Sequence, residues 1–209
     1  MSCCSKSTKQ KDEETEVSPN LALQVAAATG DNDEVKKAIE NGANVNTPAD
    51  ANPEADKYNA GAYPLHMAAE GGHPETVKLL FFAGTEGASP DKVDALGSTA
   101  LHRAVSYQQV PVVQQLLERG ADVHAVNKIG NTPLHISACV GSLEITNILL
   151  KADAGKDINL KNKVNMTPLD YAKKVELKAL LTQIADKSKS TQGAQEPAEI
   201  KEEAKTTSA

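Results

Sequence analysis

The fold follows from one stretch, residues 94–126, with the sequence DALGSTALHRAVSYQQVPVVQQLLERGADVHAV, because these 33 residues form one complete structural unit. Gly97 predicts a tight turn, since glycine tolerates the positive φ that such turns need. Thr99 is placed to cap a first short helix, and Pro111 suits the first turn of a second helix. Gly120 predicts the end of that second helix. The unit therefore consists of turn, helix, turn and helix, and it is too small to bury its own apolar faces.

Copies of this unit lie on both sides of it. Leu-His pairs begin at Leu65, Leu101 and Leu134, which are 36 and 33 residues apart. The surrounding strings GAYPLHMAAEGGH, GSTALHRAVSYQQ and GNTPLHISACVGS align without gaps. A partial copy begins near Leu23 and closes with NGANVN, and another begins at Thr167. Units that recur at such a period bury their apolar faces by stacking on one another.

The repeated pattern resembles the ankyrin repeat, whose turn, TPLH, small-residue helix, second helix and GADVN are matched in whole or in part by five segments. The resemblance implies an all-α solenoid of stacked helix-turn-helix units with hairpin-like loops, in which the terminal repeats act as caps. We expect this domain at residues 18–184. The predicted repeats are about 18–46, 58–93, 94–126, 127–161 and 162–184, with an inserted loop at about 47–57.

Both ends of the chain differ in composition from the repeats. Residues 1–17 and 185–209 are polar and charged and have no apolar periodicity. Such segments cannot bury enough apolar surface to offset the entropy of ordering. The sequence therefore predicts two disordered tails.

Composition argues against several classes of partner. The chain has 209 residues, of which 40% are hydrophobic, and it has 3% aromatic residues and no tryptophan, which favours a core of leucine, valine and alanine. The formal net charge is −6 and the basic residues are dispersed, so we expect no nucleic acid partner. No apolar run reaches the length of about 18 residues that a membrane-spanning helix needs. Three cysteines cannot form a disulfide framework, so we expect a cytoplasmic protein, with the nucleus as an alternative.

The N-terminal cysteines keep a membrane-peripheral alternative open. Cys3 and Cys4 lie next to basic residues and are candidates for S-acylation. Position 2 is Ser2 rather than the glycine that N-myristoylation requires, so the usual first lipid signal is missing. One lipid signal alone anchors a protein weakly. The alternative is therefore an adaptor that reaches a membrane only if these cysteines are acylated.

The three motif histidines raise the question of a metal or catalytic site. His66, His102 and His135 occupy the same position of successive repeats, which stacking places about 10 Å apart. Ligands of one ion must converge to about 2 Å, so the row cannot bind a metal together. Each histidine is expected instead to form hydrogen bonds with backbone or threonine near its hairpin. Cys139 has no motif linking it to a base, so the sequence predicts no catalytic, cofactor or metal site and a non-enzymatic function.

The resemblance implies that a protein partner is bound by the hairpin tips and the exposed side of the first helices. We expect this chain to be a monomer. Carried over by position, this selects nine residues: Leu96, Ser98, Tyr107, Lys128, Ile129, Asn131, Val140, Val164 and Met166. Leu96, Ile129 and Val164 share one tip position and predict an apolar strip that a partner covers. The alternative is that these three side chains lean back and pack hairpin against hairpin.

One position of the third repeat departs from the pattern. Gln108 stands where the resemblance implies a glycine with positive φ between the two helices. The turn at this position is therefore expected to be either strained or rebuilt.

Overall fold

The structure is a computed structural model that describes residues 18–49, 60–83 and 87–192, with side chains as far as residue 187. These ranges contain helices and no strand, which confirms the predicted all-α class. Cys3, Cys4 and the predicted N-terminal tail lie outside them. In chain order the helices are α1 (Pro19–Thr29), α2 (Asn32–Glu40), α3 (Pro64–Gly71), α4 (Pro74–Phe81), α5 (Ala100–Ser106), α6 (Val110–Glu118), α7 (Pro133–Val140), α8 (Leu143–Lys151), α9 (Pro168–Tyr171) and α10 (Val175–Gln192), with a 3-10 helix at Ala154–Asn159 between α8 and α9.

The helices form two rows. The inner row consists of α1, α3, α5, α7 and α9, and each packs against the next. The outer row of α2, α4, α6 and α8 does the same, and it continues through the 3-10 helix to α10. Within the described residues each unit thus packs mainly against its neighbours, as in a solenoid.

Threonine and glycine set the ends of the inner helices as the pattern predicts. The hydroxyl of Thr99 accepts a hydrogen bond from the backbone N–H of His102 at the start of α5. Gly72 and Gly141 follow α3 and α7 with φ of 73° and 71°. Gln108 occupies the equivalent position after α5 with φ of 58°. The turn is therefore not rebuilt, and a glutamine adopts the left-handed conformation that glycine adopts in the neighbouring repeats.

The core is built from equivalent residues of successive repeats. One leucine in each of α1, α3, α5 and α7 is 0 to 2% exposed, namely Leu23, Leu65, Leu101 and Leu134. The outer helices contribute Leu80, Leu116 and Leu149, which are fully buried. Small alanines such as Ala68 and Ala104 are also buried and let neighbouring helices approach closely. No single repeat encloses a core, so each repeat is stabilised by the next.

The described residues differ from the predicted bounds at the C-terminal end. Helix α10 continues to Gln192, and Ala185 is buried although it falls in the predicted tail. Leu177, Leu181 and Ala185 are four residues apart, so they lie on one face of α10 and are buried together. The predicted boundary at residue 184 is therefore too early. None of the helices in the described ranges has both the length and the apolar character needed to cross a lipid bilayer.

Candidate partner-binding surface

Three hairpin tips share one local structure, which their first residue sets. Asp94, Asn127 and Asn162 each accept two hydrogen bonds at Oδ1 from the backbone N–H groups two and four residues further on, at 2.8 to 3.1 Å. Aspartate and asparagine are suited to this role because their short side chains can bond to nearby backbone. The three tips are therefore fixed in the same conformation.

Backbone hydrogen bonds also join each tip to the next. The N–H of Lys128 donates to the carbonyl of Leu96 at 3.0 Å, and the N–H of Lys163 donates to the carbonyl of Ile129 at 2.9 Å. The tips thus form one continuous ladder along the solenoid. Residues at equivalent positions of successive tips therefore recur at a regular spacing along this ladder.

The apolar residues predicted as a strip do line up at these tips. Leu96, Ile129 and Val164 are 49%, 53% and 60% exposed, and we call them the tip row. About half of each side chain therefore faces solvent and is not covered by the neighbouring hairpin. Lys128 and Lys163, one residue before Ile129 and Val164, are exposed beside the row.

A cleft lies at one end of the tip row. Leu96 and the half-exposed Tyr107 line it together with Ser98, Ser106 and Arg103, and its volume is about 310 Å³. The cleft is large enough for one side chain of a partner. Tyr107 was predicted to contribute to the partner surface, and the cleft is where it lies.

A buried ion cluster lies beneath this cleft. The guanidinium of Arg103 donates from Nε and Nη2 to Oδ2 of Asp94 at 3.0 and 2.8 Å, and from Nη1 to Oε2 of Glu70 at 2.5 Å. The side chains of Arg103 and Asp94 are 8% and 0% exposed. Burial opposes the charge of Arg103, but the hydrogen bonds to both carboxylates and their charges outweigh it and raise its pKa. Sequence reasoning missed this cluster, although an arginine where Met67 and Ile136 stand in neighbouring repeats is a signal for it.

The other predicted contact residues lie deeper than the tip row. Ser98 is buried, its N–H donates to Asp94 and its carbonyl accepts from His66, so it lies at the cleft rather than at the exposed tip, and its contact with a partner stays a prediction. Asn131 is half-buried, and its Oδ1 accepts a hydrogen bond from Nδ2 of Asn162 at 2.6 Å. The remaining two predicted contacts are also half-buried: Val140 and Met166.

The motif histidines form hydrogen bonds with backbone, as predicted, and some of these bonds join successive repeats. Nε2–H of His66 and of His102 donates to a backbone carbonyl of the following repeat at 2.9 and 3.0 Å. Nε2–H of His135 lies 3.1 Å from the carbonyl of Leu160 in its own repeat and 3.3 Å from that of Met166 in the next. Nδ1 of His102 accepts from the backbone N–H of Thr99, and His135 has the same bond to Thr132. Burial lowers the pKa of all three, that of His66 to about 4, so they are neutral at pH 7. Within the part of the chain that the structure describes, no group of three or more potential ligands could hold a metal ion.

A second apolar area lies between α1 and α3. Leu21 and Val25 of α1 are exposed and, with Met67 of α3, line a shallow groove of about 360 Å³ that Glu70 borders. Sequence reasoning missed this groove because it treated the first repeat as a cap. The signal was the four-residue spacing of Leu21 and Val25, which places both on one face of the helix.

Stacked helix pairs, a ladder of hairpin tips and an exposed row of equivalent residues define a repeat solenoid with one continuous surface. A family model described as "Ankyrin repeats (3 copies)" matches residues 5–90, 23–127, 65–162 and 101–191. The chain belongs to the ankyrin-repeat family.

Curated relatives carry the same repeats in different settings. The chain is 36% identical over 126 residues to a probable 26S proteasome regulatory subunit p28 of Saccharomyces cerevisiae, covering 58% of this chain and 53% of that protein. It is 40% identical over 109 residues to ankyrin repeat and SOCS box protein 5 of Mus musculus, covering 52% and 31%. Each match spans about half of the relative's length or less. Ankyrin repeats are general protein–protein interaction modules, and this chain consists largely of them.

Proposed function

We propose that this protein is a non-enzymatic interaction module, acting as a scaffold, adaptor or inhibitor, that binds a protein partner through its hairpin tips and the exposed side of its first helices, which together form its concave face. The observation that carries the proposal is the tip row, in which three apolar side chains at equivalent positions are about half exposed. Aligned apolar groups on a soluble surface are typical of an interface, and an aromatic residue nearby is a typical hot spot. Tyr107 has that position.

The proposed mechanism is rigid display. The tips are held by side-chain bonds from their first residues and by backbone bonds from tip to tip, so the surface exists before a partner arrives. A preformed surface binds with little loss of conformational entropy. We expect the repeats to keep the same backbone conformation on binding.

The test is affinity capture from native lysate, with the captured proteins identified by mass spectrometry. Wild type is compared with the double variant Leu96→Asp/Ile129→Asp, which places two charges in the tip row. Leu143→Asp is the matched control, because Leu143 is similarly exposed at 42% but begins the outer helix α8. Circular dichroism establishes that all three proteins are folded.

We expect the double variant to lose partners that wild type and the control retain. If the folded double variant captures the same proteins in the same amounts, the tip row is not the binding surface. The groove formed by Leu21, Val25 and Met67 would then be the candidate binding surface.

A further inference from the structure

We propose that the tip row and its two lysines bind an acidic, extended segment of the partner in which an apolar residue recurs at every third position. This inference rests on the proposed function and specifies the chemistry of the partner. It depends on the order of side chains along the tips, on their charge and on their spacing.

The tip-to-tip bonds set the order of the side chains. Because Lys128 N–H bonds to the carbonyl of Leu96, Lys128 lies between Leu96 and Ile129 along the ladder. Lys163 lies between Ile129 and Val164 for the same reason. The order of residues along the tips is therefore Leu96, Lys128, Ile129, Lys163 and Val164, which alternates apolar and basic residues. A complementary segment places an acidic group between each pair of successive apolar residues.

The two tip lysines have charge to offer to a partner. Lys128 and Lys163 are exposed, and no ion pair joins either of them to a carboxylate within residues 18–49, 60–83 and 87–187. The chain as a whole has a formal net charge of −6. An acidic segment is thus attracted locally at the tips and repelled by the molecule as a whole, which favours this surface over others.

The spacing of the row favours an extended segment. Each tip contains two chain segments, and hydrogen-bonded neighbouring segments lie about 4.8 Å apart, so equivalent side chains recur about every 10 Å. A polyproline II segment rises about 3.1 Å per residue with three residues per turn, so every third side chain lies on one face about 9.3 Å apart. An α-helix presents an apolar stripe more than one residue wide, which would press apolar groups against the two lysines.

The cleft beside Leu96 completes the site. Arg103 lines it, but its charge is offset by Asp94 and Glu70, so the cleft offers no net positive charge. We therefore assign the cleft to a neutral apolar side chain of the segment, packed between Leu96 and Tyr107. The acidic residues of the segment lie opposite Lys128 and Lys163.

The experiment measures binding of labelled peptides to the full chain by fluorescence anisotropy. The first peptide has leucine at positions 1, 4 and 7 with glutamate and proline between them. The second has the same composition with leucine at positions 1, 3 and 5, and the third replaces each glutamate with lysine. The protein variants are Leu96→Asp and the pair Lys128→Glu/Lys163→Glu. The control Lys151→Glu reverses an exposed charge at the end of outer helix α8.

We expect the first peptide to bind about tenfold more tightly than either other peptide. Leu96→Asp and the double lysine variant should each weaken it by about tenfold or more, and Lys151→Glu by less than about twofold. Binding should weaken at high salt, because exposed charges are screened. The double lysine variant should bind the lysine peptide more tightly than wild type does, which a merely unfolded variant would not do.

Four results would overturn the inference. Equal binding of the first two peptides would contradict the proposed three-residue spacing of apolar residues. Equal binding of a peptide with leucines seven residues apart would indicate a helical partner. Displacement of the peptide by a single-stranded oligonucleotide of equal charge, with equal potency, would indicate a phosphate site. If none of the peptides binds while Leu96→Asp/Ile129→Asp still loses its lysate partners, the acidic-segment inference is wrong and the proposed function stands; if that variant keeps its partners too, both are wrong.

Discussion

The third and fourth repeats build the same tip in two chemically different ways. In the fourth, Asn127 accepts its two backbone bonds as a neutral amide, and Ile136 occupies the following helix position. In the third, Asp94 accepts the same two bonds as a buried carboxylate, and Arg103 stands where Ile136 does in the next repeat. The backbone geometry does not require a charge. Once the tip residue is charged, however, the helix beside it has to supply a counterion.

This difference shows which residues are coupled across the repeats. Replacing an ion cluster with apolar groups is often neutral for stability, whereas removing one partner leaves an uncompensated buried charge. Arg103 is therefore needed because Asp94 is present.

Arg103→Ile should destabilise the protein strongly, because it leaves Asp94 charged and buried with no cation beside it. The expected loss in the free energy of unfolding is about 3 to 5 kcal/mol. Urea unfolding followed by circular dichroism measures it, provided that the slope of the transition shows that the same surface unfolds.

The double variant Asp94→Asn/Arg103→Ile is the matching control, because it gives the third repeat the chemistry of the fourth. It should recover most of the lost stability, since the buried carboxylate is gone and Glu70, at 28% exposure, can turn to water. If the double variant loses as much free energy of unfolding as Asp94→Asn and Arg103→Ile do when their separate losses are added, the two residues are not coupled.

Acid should destabilise the solenoid through His66, which lies next to this ion cluster. Burial lowers the pKa of His66 to about 4 in the folded protein, so below the ordinary value of 6.5 the unfolded chain binds more protons. The free energy of unfolding should therefore fall as the pH falls from about 6.5 to about 4, by roughly 2 to 3 kcal/mol from this group. Urea titrations at several pH values measure the slope.

The variant His66→Gln tests the assignment, since glutamine does not titrate. Whatever its stability at pH 7, its pH slope in this window should be smaller than that of wild type by the contribution of one proton. An unchanged slope would assign the acid sensitivity to other groups, including His102 and His135, whose pKa values burial also lowers.

Periodic features of this fold were predictable because the residues that form them recur at the same position in successive repeats. The Leu-His pairs predicted the inner helices, and the shared position of the histidines predicted that they bond to backbone rather than to a metal. The tip row was predictable for the same reason, because Leu96, Ile129 and Val164 occupy one register position. Its role in binding stays a prediction.

Features that depend on a contact between repeats were not predictable from the pattern. Glu70 and Asp94 lie on either side of Arg103 in the chain, 33 and 9 residues away, and only the stacking of α3 on α5 brings them together. The burial of Ser98 arises in the same way, because it depends on the histidine of the preceding repeat. Helix α10 extends past the predicted boundary, because Ala185 packs on the same face as Leu177 and Leu181. The sequence did not predict this, because one small apolar residue in a polar stretch gives no apolar periodicity.

Gln108 and Gly141 stand at the same position between the two helices of the third and fourth repeats. Exchanging their residue types should change the free energy of unfolding by about 1 kcal/mol at each position, in opposite directions. Gln108 adopts φ of 58° where Gly141 of the fourth repeat adopts φ of 71°. Since a side chain in this conformation costs about 1 kcal/mol, Gln108→Gly should stabilise the protein and Gly141→Gln should destabilise it. Thermal unfolding of both variants measures the pair, and a change of the same sign in both would contradict a backbone origin.

The smallest effect is expected at the tip of the fifth repeat, where Asn165 stands at the position of Gly97 and Gly130. Asn165 adopts φ of 64°, close to the values of 72° and 82° at those glycines. Asparagine tolerates this conformation better than other residues with side chains. Asn165→Gly should therefore change the free energy of unfolding by only a few tenths of a kcal/mol, well below the change at Gln108. If calorimetry gives equal changes at the two positions, the backbone of Gln108 is no more strained than that of Asn165. The glutamine at position 108 would then differ from the glycine of the neighbouring repeats without a cost in stability.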